Sequence, residues 1–206
     1  MHTTHMTHST AKRTLRAELL AARRERPEAA RGADSAHIIA ALTAGLSHLG
    51  VRTVAGYAPI GSEPGQPLPD ALLAAGFRVL LPVVRADNDL DWANYRAPTD
   101  LAAAGRGLVE PVGRRLGVDA VAGVGAVVVP AVAVGRDGGR LGRGGGSYDR
   151  SLPRVPAGVP IVALTYDNEL MDVVPTEPHD QRITAVVTPS GGWLTLPAAT
   201  AEPRSG

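Results

Sequence analysis

Apolar positions in the first fifty residues recur at helical spacing. Leu15, Leu19 and Ala22 share a face of a helix predicted from about Ala11 to Arg26, with Ser9 or Thr10 as its cap and Pro27 as its stop. Lys12, Arg16 and Arg23 fall close to one stripe of the same helix. A second helix is predicted over 35–49, burying Ile38, Leu42, Leu46 and Leu49 and ending at Gly50. The pattern then changes. Residues 51–58, 77–84, 125–134, 160–166 and 183–189 read as strands, several of them near-continuous runs of Val, Ile, Leu and Ala, and 68–76 reads as a helix. Strands without a polar face are covered on both sides. The pattern therefore predicts α/β architecture: a single domain with a mostly parallel open sheet and helices on both faces. That domain is expected over 10–198, between disordered tails at 1–9 and 199–206.

Ligands of open α/β sheets bind beyond the carboxyl ends of the strands. The segments that follow strands are 59–66, 85–98, 135–149 and 167–182. Composition narrows what they bind. A net charge of +1 and 3% aromatic residues offer neither general attraction nor a stacking platform for nucleic acid, and give no membrane-surface signal. Without cysteine there are no disulfides, thiolate metal sites or cysteine nucleophile, which fits a cytoplasmic location. The apolar run 121–135 is too short to span a bilayer and is broken by Pro130, and the first ten residues lack the apolar core of a signal peptide. His2, His5 and His8 have no acidic or cysteine neighbours and read as part of a polar tail rather than a metal site. Lys12 is the only lysine among 21 basic residues. Codon bias accounts for the arginines but leaves that lysine unexplained.

The densest chemistry lies in Gly138–Arg150, GGRLGRGGGSYDR. Glycines let successive backbone N–H groups converge on an anion, and Arg140, Arg143 and Arg150 add charge and paired donors for phosphate oxygens. The segment is neither a dinucleotide fingerprint, lacking the third glycine, nor a Walker loop, lacking Gly-Lys-Ser/Thr. A flexible surface loop and an unconventional phosphate loop remain. Asp149, at its end, suits Mg2+ shared with bound phosphates.

Arg140–Arg150, RLGRGGGSYDR, closely resembles the signature of the 5-formyltetrahydrofolate cyclo-ligase (methenyltetrahydrofolate synthetase) family. Three further stretches resemble family motifs in the same order: AKRTLR at 11–16, LDWANYR at 90–96 followed by GLVEP at 107–111, and VPTEPHDQRITAVVTP at 174–189. The resemblance implies an ATP- and Mg2+-dependent ligase that closes 5-formyltetrahydrofolate to 5,10-methenyltetrahydrofolate through a phosphorylated formyl group. It implies ATP contacts from Lys12, Arg13, Thr14, Leu15 and Arg16, and from Arg140, Leu141, Gly142, Arg143, Gly144, Gly145, Gly146, Ser147 and Tyr148. Substrate contacts are implied for Ala58, Glu63 and Arg143 to Ser147, metal ligation for Asp149 and Asp180, and catalytic roles for Arg143 and Tyr148. Trp92 and Tyr95 resemble positions near the pocket, although an aromatic pair is more often core, and His179 reads as structural. Two departures stand out: Ser147 replaces the first tyrosine of the usual pair, and Gly135 replaces an aspartate at the entry to the loop. They keep open a non-catalytic folate- or nucleotide-binding homologue and a kinase of another small metabolite. The partners expected are a reduced folate and ATP, with no nucleic acid and no membrane, bound by a monomer.

Overall fold

The computed structural model describes residues 2–105, 107–177 and 180–197, with side chains from Ser9 onward. Two long helices open the chain, α1 (His2–Glu25) and α2 (Glu28–His48). No glycine or proline interrupts residues 1–26, so α1 propagates back to His2. Ser9 and Thr10 lie inside it rather than capping it, and 2–9 continues the helix where a disordered tail was expected. The tail predicted at 199–206 and the side chains of His2, His5 and His8 lie outside the described residues.

Strands β1 (Thr53–Ala55) and β2 (Arg78–Val84) flank helix α3 (Leu68–Ala74), and β3 (Leu90–Tyr95) returns antiparallel to β2. A hairpin of β4 (Leu101–Ala104) and β5 (Leu108–Pro111) follows. Next come β6 (Ala126–Pro130), β7 (Ala133–Gly135), β8 (Arg140–Leu141) and the short helix α4 (Ser147–Ser151). The chain ends with β9 (Ile161–Leu164), β10 (Leu170–Met171), β11 (Ala185–Thr188) and β12 (Gly192–Thr195). Seven strands form the main sheet in the order β12-β11-β9-β6-β1-β2-β3, parallel except for the antiparallel strand at each edge. The predicted mostly parallel α/β sheet is what the chain forms.

Successive residues of the central strands alternate between two cores, as the pleat requires. Val79, Leu81 and Val128 meet Ile38, Leu42 and Leu46 of α2 and Leu68 and Leu72 of α3. Leu80, Val127 and Val129 point the other way, onto Val121, Val124, Leu152 and Trp92. That second face is covered by short helical turns and α4 rather than by long helices. Burial on both faces explains why these strands read as unbroken apolar runs.

Further expectations differ from the structure: α2 begins at Glu28 rather than at 35, and Leu49, expected in its buried face, is exposed. The run 125–134 is two strands, because Pro130 has no N–H to continue the ladder. Beyond it, β7 leaves the main sheet and pairs with β8 and β10. Residues 85–98, read as a loop, contain the edge strand β3, whose Asp91 and Asn94 hid it in the pattern. On α1, Ala22 is exposed and Arg23 is buried, so the inward stripe runs through Lys12, Arg16, Leu19 and Arg23. Leu19 packs with Val132, Ala133, Leu141 and Val174, so α1 docks at the small sheet of β10-β7-β8.

Candidate active site

The chain leaves β1 toward β2 and β3 on one side, and leaves β6 toward β9 and β11 on the other. Two adjacent parallel strands with diverging exits make a crevice at their carboxyl ends. A cavity of about 740 Å3 lies there, lined by Tyr57 and Ala58 after β1, Leu81 and Pro82 of β2, and Pro130 and Ala131 at the end of β6.

One wall is charged. Lys12, Arg13 and Arg16 reach it from α1, and Arg140 to Asp149 form its rim, with Glu177 and Asp180 beside them. Lys12 Nζ lies 2.6 Å from Asp180 Oδ2 and 3.5 Å from Glu177 Oε2. Arg16 Nε donates to the Gly142 carbonyl at 2.8 Å, tying α1 to the glycine loop. Arg140, whose side chain is almost wholly buried, donates to Asp149 Oδ1 at 2.8 Å and to the Pro130 carbonyl at 3.2 Å. The glycines are needed for distinct reasons. Gly144 and Gly146 hold φ of 100° and 70°, where other residues are strained, while a side chain at Gly142 would meet the Arg140 guanidinium at 2.8 Å. Among the described residues, the N–H groups of Gly144, Gly145 and Gly146 donate no hydrogen bond, so they stay available to an anion.

Glu63 is buried in the turn after β1. Its Oε2 accepts the Ile60 N–H at 2.9 Å and its Oε1 accepts from Arg143 Nε at 2.7 Å. The turn is held from outside: buried Ser35 of α2 accepts the Gly65 N–H at 3.1 Å, and the Tyr166 hydroxyl donates to the Ser62 carbonyl at 3.2 Å. Tyr148 is partly exposed, yet its hydroxyl is buried and has no partner among the described residues. Burial pushes that phenol up, against the nearby Arg140 guanidinium. Burial likewise holds Tyr57 well above the usual range, and the Glu63 carboxylate adds to it. Both phenols are therefore neutral donors at neutral pH.

The second wall is apolar. Leu81, Pro82 and Val84 of β2, Leu90 of β3, and Leu108 and Val109 of β5 line it. The hairpin is held against the sheet edge by the Val84 N–H donating to Glu110 Oε1 at 3.0 Å.

Of the residues expected at the site, Lys12, Arg13, Arg16, Ala58, Glu63, Asp180 and the whole run Arg140–Asp149 border this one cavity. Thr14 is exposed, and Leu15 packs against the Leu19 core instead. Trp92 and Tyr95 are core: Trp92 is fully buried, and the Tyr95 hydroxyl donates to Asp70 at 2.6 Å behind the sheet edge. His179 lies outside the described residues. At Gly135 a side chain would collide with the Asp137 carboxylate, so Asp137 takes the room that an aspartate at 135 would need. Sequence reasoning missed Tyr57, Glu177 and the apolar wall. For Glu177 the signal was present in PTEPHD; the wall has none, because its residues look like ordinary strand interiors.

Among the described residues, no group of three or more acidic, histidine or cysteine side chains gathers as a ready-made metal site. Asp149 and Asp180 both border the cavity, and the Gln181 N–H, next to Asp180, donates to Asp149 Oδ1 at 3.4 Å. This donor set suits a hydrated Mg2+ that takes most of its ligands from phosphates and water, and does not suit a tightly held resident ion.

A sequence profile of the 5-formyltetrahydrofolate cyclo-ligase family matches residues 8–189. The chain is 44% identical over 192 residues to a 5-formyltetrahydrofolate cyclo-ligase of Mycolicibacterium smegmatis, covering 90% of this chain and 97% of that one. To the Escherichia coli K12 5-formyltetrahydrofolate cyclo-ligase it is 34% identical over 131 residues, 62% of this chain and 72% of the other. Its fold is similar to that of Aquifex aeolicus 5,10-methenyltetrahydrofolate synthetase, with a TM-score of 0.77 and 28% identity over 94% of this chain and 97% of that one. The match spans all four motifs, and residues from all four line the cavity. The chain belongs to the 5-formyltetrahydrofolate cyclo-ligase family.

Proposed function

We propose that this protein is a ligase that uses ATP to close 5-formyltetrahydrofolate to 5,10-methenyltetrahydrofolate. The observation that carries the reading is the convergence of four stretches, separated by up to 168 residues between Lys12 and Asp180, on one cavity with a charged wall and an apolar one. The chemistry needs both. An N-formyl group is an amide, too poor an electrophile for N10 to expel its oxygen unaided. The formyl oxygen attacks the γ-phosphorus, and ADP leaves. N10 then attacks the formyl carbon and loses its proton as the carbon–oxygen bond breaks and phosphate departs.

Catalysis is largely positioning and charge neutralisation. Lys12, Arg16, Arg140 and the N–H groups of Gly144 to Gly146 hold the phosphates. Arg143 follows charge onto the transferring phosphoryl group, and the neutral Tyr148 hydroxyl, which has no partner among the described residues, donates to an oxygen of the bound substrates. Glu63 accepts from N–H donors of the pterin ring, and the apolar wall covers the rest of the folate. Mg2+, held by Asp149 and Asp180 together with phosphate oxygens, would neutralise negative charge during the transfer. A monomer in the cytoplasm accords with this reading; no helix among the described residues is long and apolar enough to cross a membrane.

The test is absorbance of methenyltetrahydrofolate formed from 5-formyltetrahydrofolate, with and without ATP and with Mg2+ withheld. Product is expected only with both. Tight binding of both substrates without turnover would replace the ligase by a binding protein.

A further inference from the structure

Lys12, Arg140 and Arg143 each already hold a carboxylate of the protein, and the three pairs are not equivalent. Arg140 and Asp149 belong to one loop, and Lys12 shares its carboxylates with the segment 177–180. The Arg143–Glu63 pair alone spans from the glycine loop to the turn after β1. Its two ends differ in freedom: the Arg143 side chain is 44% exposed, that of Glu63 only 6%. Glu63 is pinned through Oε2 by the Ile60 N–H, so the guanidinium is the partner that can move.

Resting on the function proposed above, we infer that Glu63 couples the two substrate subsites, with Arg143 as its counter-ion until a nucleotide draws the guanidinium away. A triphosphate carries several negative charges and matches the guanidinium fork, so it outcompetes one carboxylate. Turning Arg143 to the phosphates leaves Glu63 buried with a single backbone donor, and an unpaired buried charge is strongly unfavourable. The N–H donors of a reduced pterin fill that place. In the reverse direction, a pterin bound at Glu63 releases Arg143 for the phosphates. Each ligand removes the obstacle to the other, so they bind with positive coupling, equal in both directions.

Calorimetric titration tests this with a non-hydrolysable ATP analogue plus Mg2+ and with 5-formyltetrahydrofolate. Each ligand is titrated alone and against a saturating amount of the other, in the wild type and in Glu63→Gln. In the wild type each ligand should tighten the other by the same factor, between about 5- and 150-fold. Glu63→Gln keeps an oxygen for the Ile60 N–H but loses the charge that retains Arg143. Its affinity for the analogue alone should rise above that of the wild type, and the coupling factor should fall toward one. Independent binding in the wild type, or full coupling in a Glu63→Gln protein of unchanged melting temperature, overturns the inference. If that variant does not fold, the two reciprocal wild-type titrations still decide. A wild type that binds neither ligand overturns the ligase reading itself, which the same titrations distinguish from independent binding.

Discussion

Helix α1 carries basic residues of one stripe into two different environments. At its carboxyl end Arg23 is buried: its Nε and Nη2 meet Glu169 Oε1 and Oε2 at 2.6 and 2.7 Å, and Nη2 also donates to the Ala131 carbonyl at 2.7 Å. Glu169 in turn accepts the Tyr166 N–H at 2.8 Å. Eleven residues earlier, Lys12 faces the cavity and meets Asp180 and Glu177 with a flexible ammonium rather than a fork. The first pair is buried and ties α1 to the segments that follow β6 and β9. The second has partners that a phosphate can displace. Charge on a helix stripe is therefore not one signal; what surrounds each residue decides whether it holds the fold or the ligand.

The sharpest break in that comparison is at Asp149, where the proposed Mg2+ would sit. Asp149→Asn should lower turnover roughly a thousand-fold, because several kcal/mol of charge stabilisation depend on the ion. Asparagine is preferable to alanine here, since the nearly buried Arg140 needs an acceptor from Asp149. Near wild-type activity at limiting Mg2+ would remove Asp149 from the metal site.

Breaking the buried pair should act on stability instead. Arg23→Ala leaves Glu169 buried and uncompensated, at a cost of about 3–5 kcal/mol in denaturant unfolding. Replacing both partners, Arg23→Met with Glu169→Leu, should recover only part of that loss, because the Tyr166 N–H and the Ala131 carbonyl then lose their partners. If the single variant unfolds at the wild-type midpoint, the pair does not hold the helix in place.

Lys12→Ala should show the opposite signature, with a small change in unfolding midpoint. ATP affinity should fall by about 1.5–3 kcal/mol, the loss of a charge-assisted hydrogen bond, with folate affinity far less affected. Equal losses for both ligands, measured by titration, would place Lys12 away from the phosphates.

Ser147→Tyr carries the smallest expected effect. Ser147 opens α4 on the cavity rim, and the three glycines before it carry no side chains to compete with a larger residue there. A stacked ring should add about 1 kcal/mol, lowering the folate KM roughly fivefold and leaving the ATP KM nearly unchanged. A raised folate KM in a folded variant would mean that the pocket is built around serine.

Much of this molecule was legible in the chain. Near-continuous apolar runs in several of the five predicted strands identified the parallel core, since strands buried on both faces have no polar side to show. The glycine loop and its arginines were readable because few residue types tolerate the backbone that Gly144 and Gly146 adopt. The break at Pro130 was visible as a residue but not as a consequence, because a proline at a strand end and one in its middle look alike until the neighbours are known. Helical spacing put Ala22 with Leu19, and only the buried carboxylate of Glu169, 146 residues away, turned the helix face toward Arg23 instead.

The chain by itself determined the fold class, the glycine loop and the cations within it, because local backbone geometry and residue chemistry carry those features within a few positions. Which carboxylate each cation meets, and which strands build the apolar wall, were decided by tertiary structure alone. Arg143 and Glu63 lie 80 residues apart. No periodicity or local propensity encodes such a pairing, which exists only where β1 and β6 open the crevice between them.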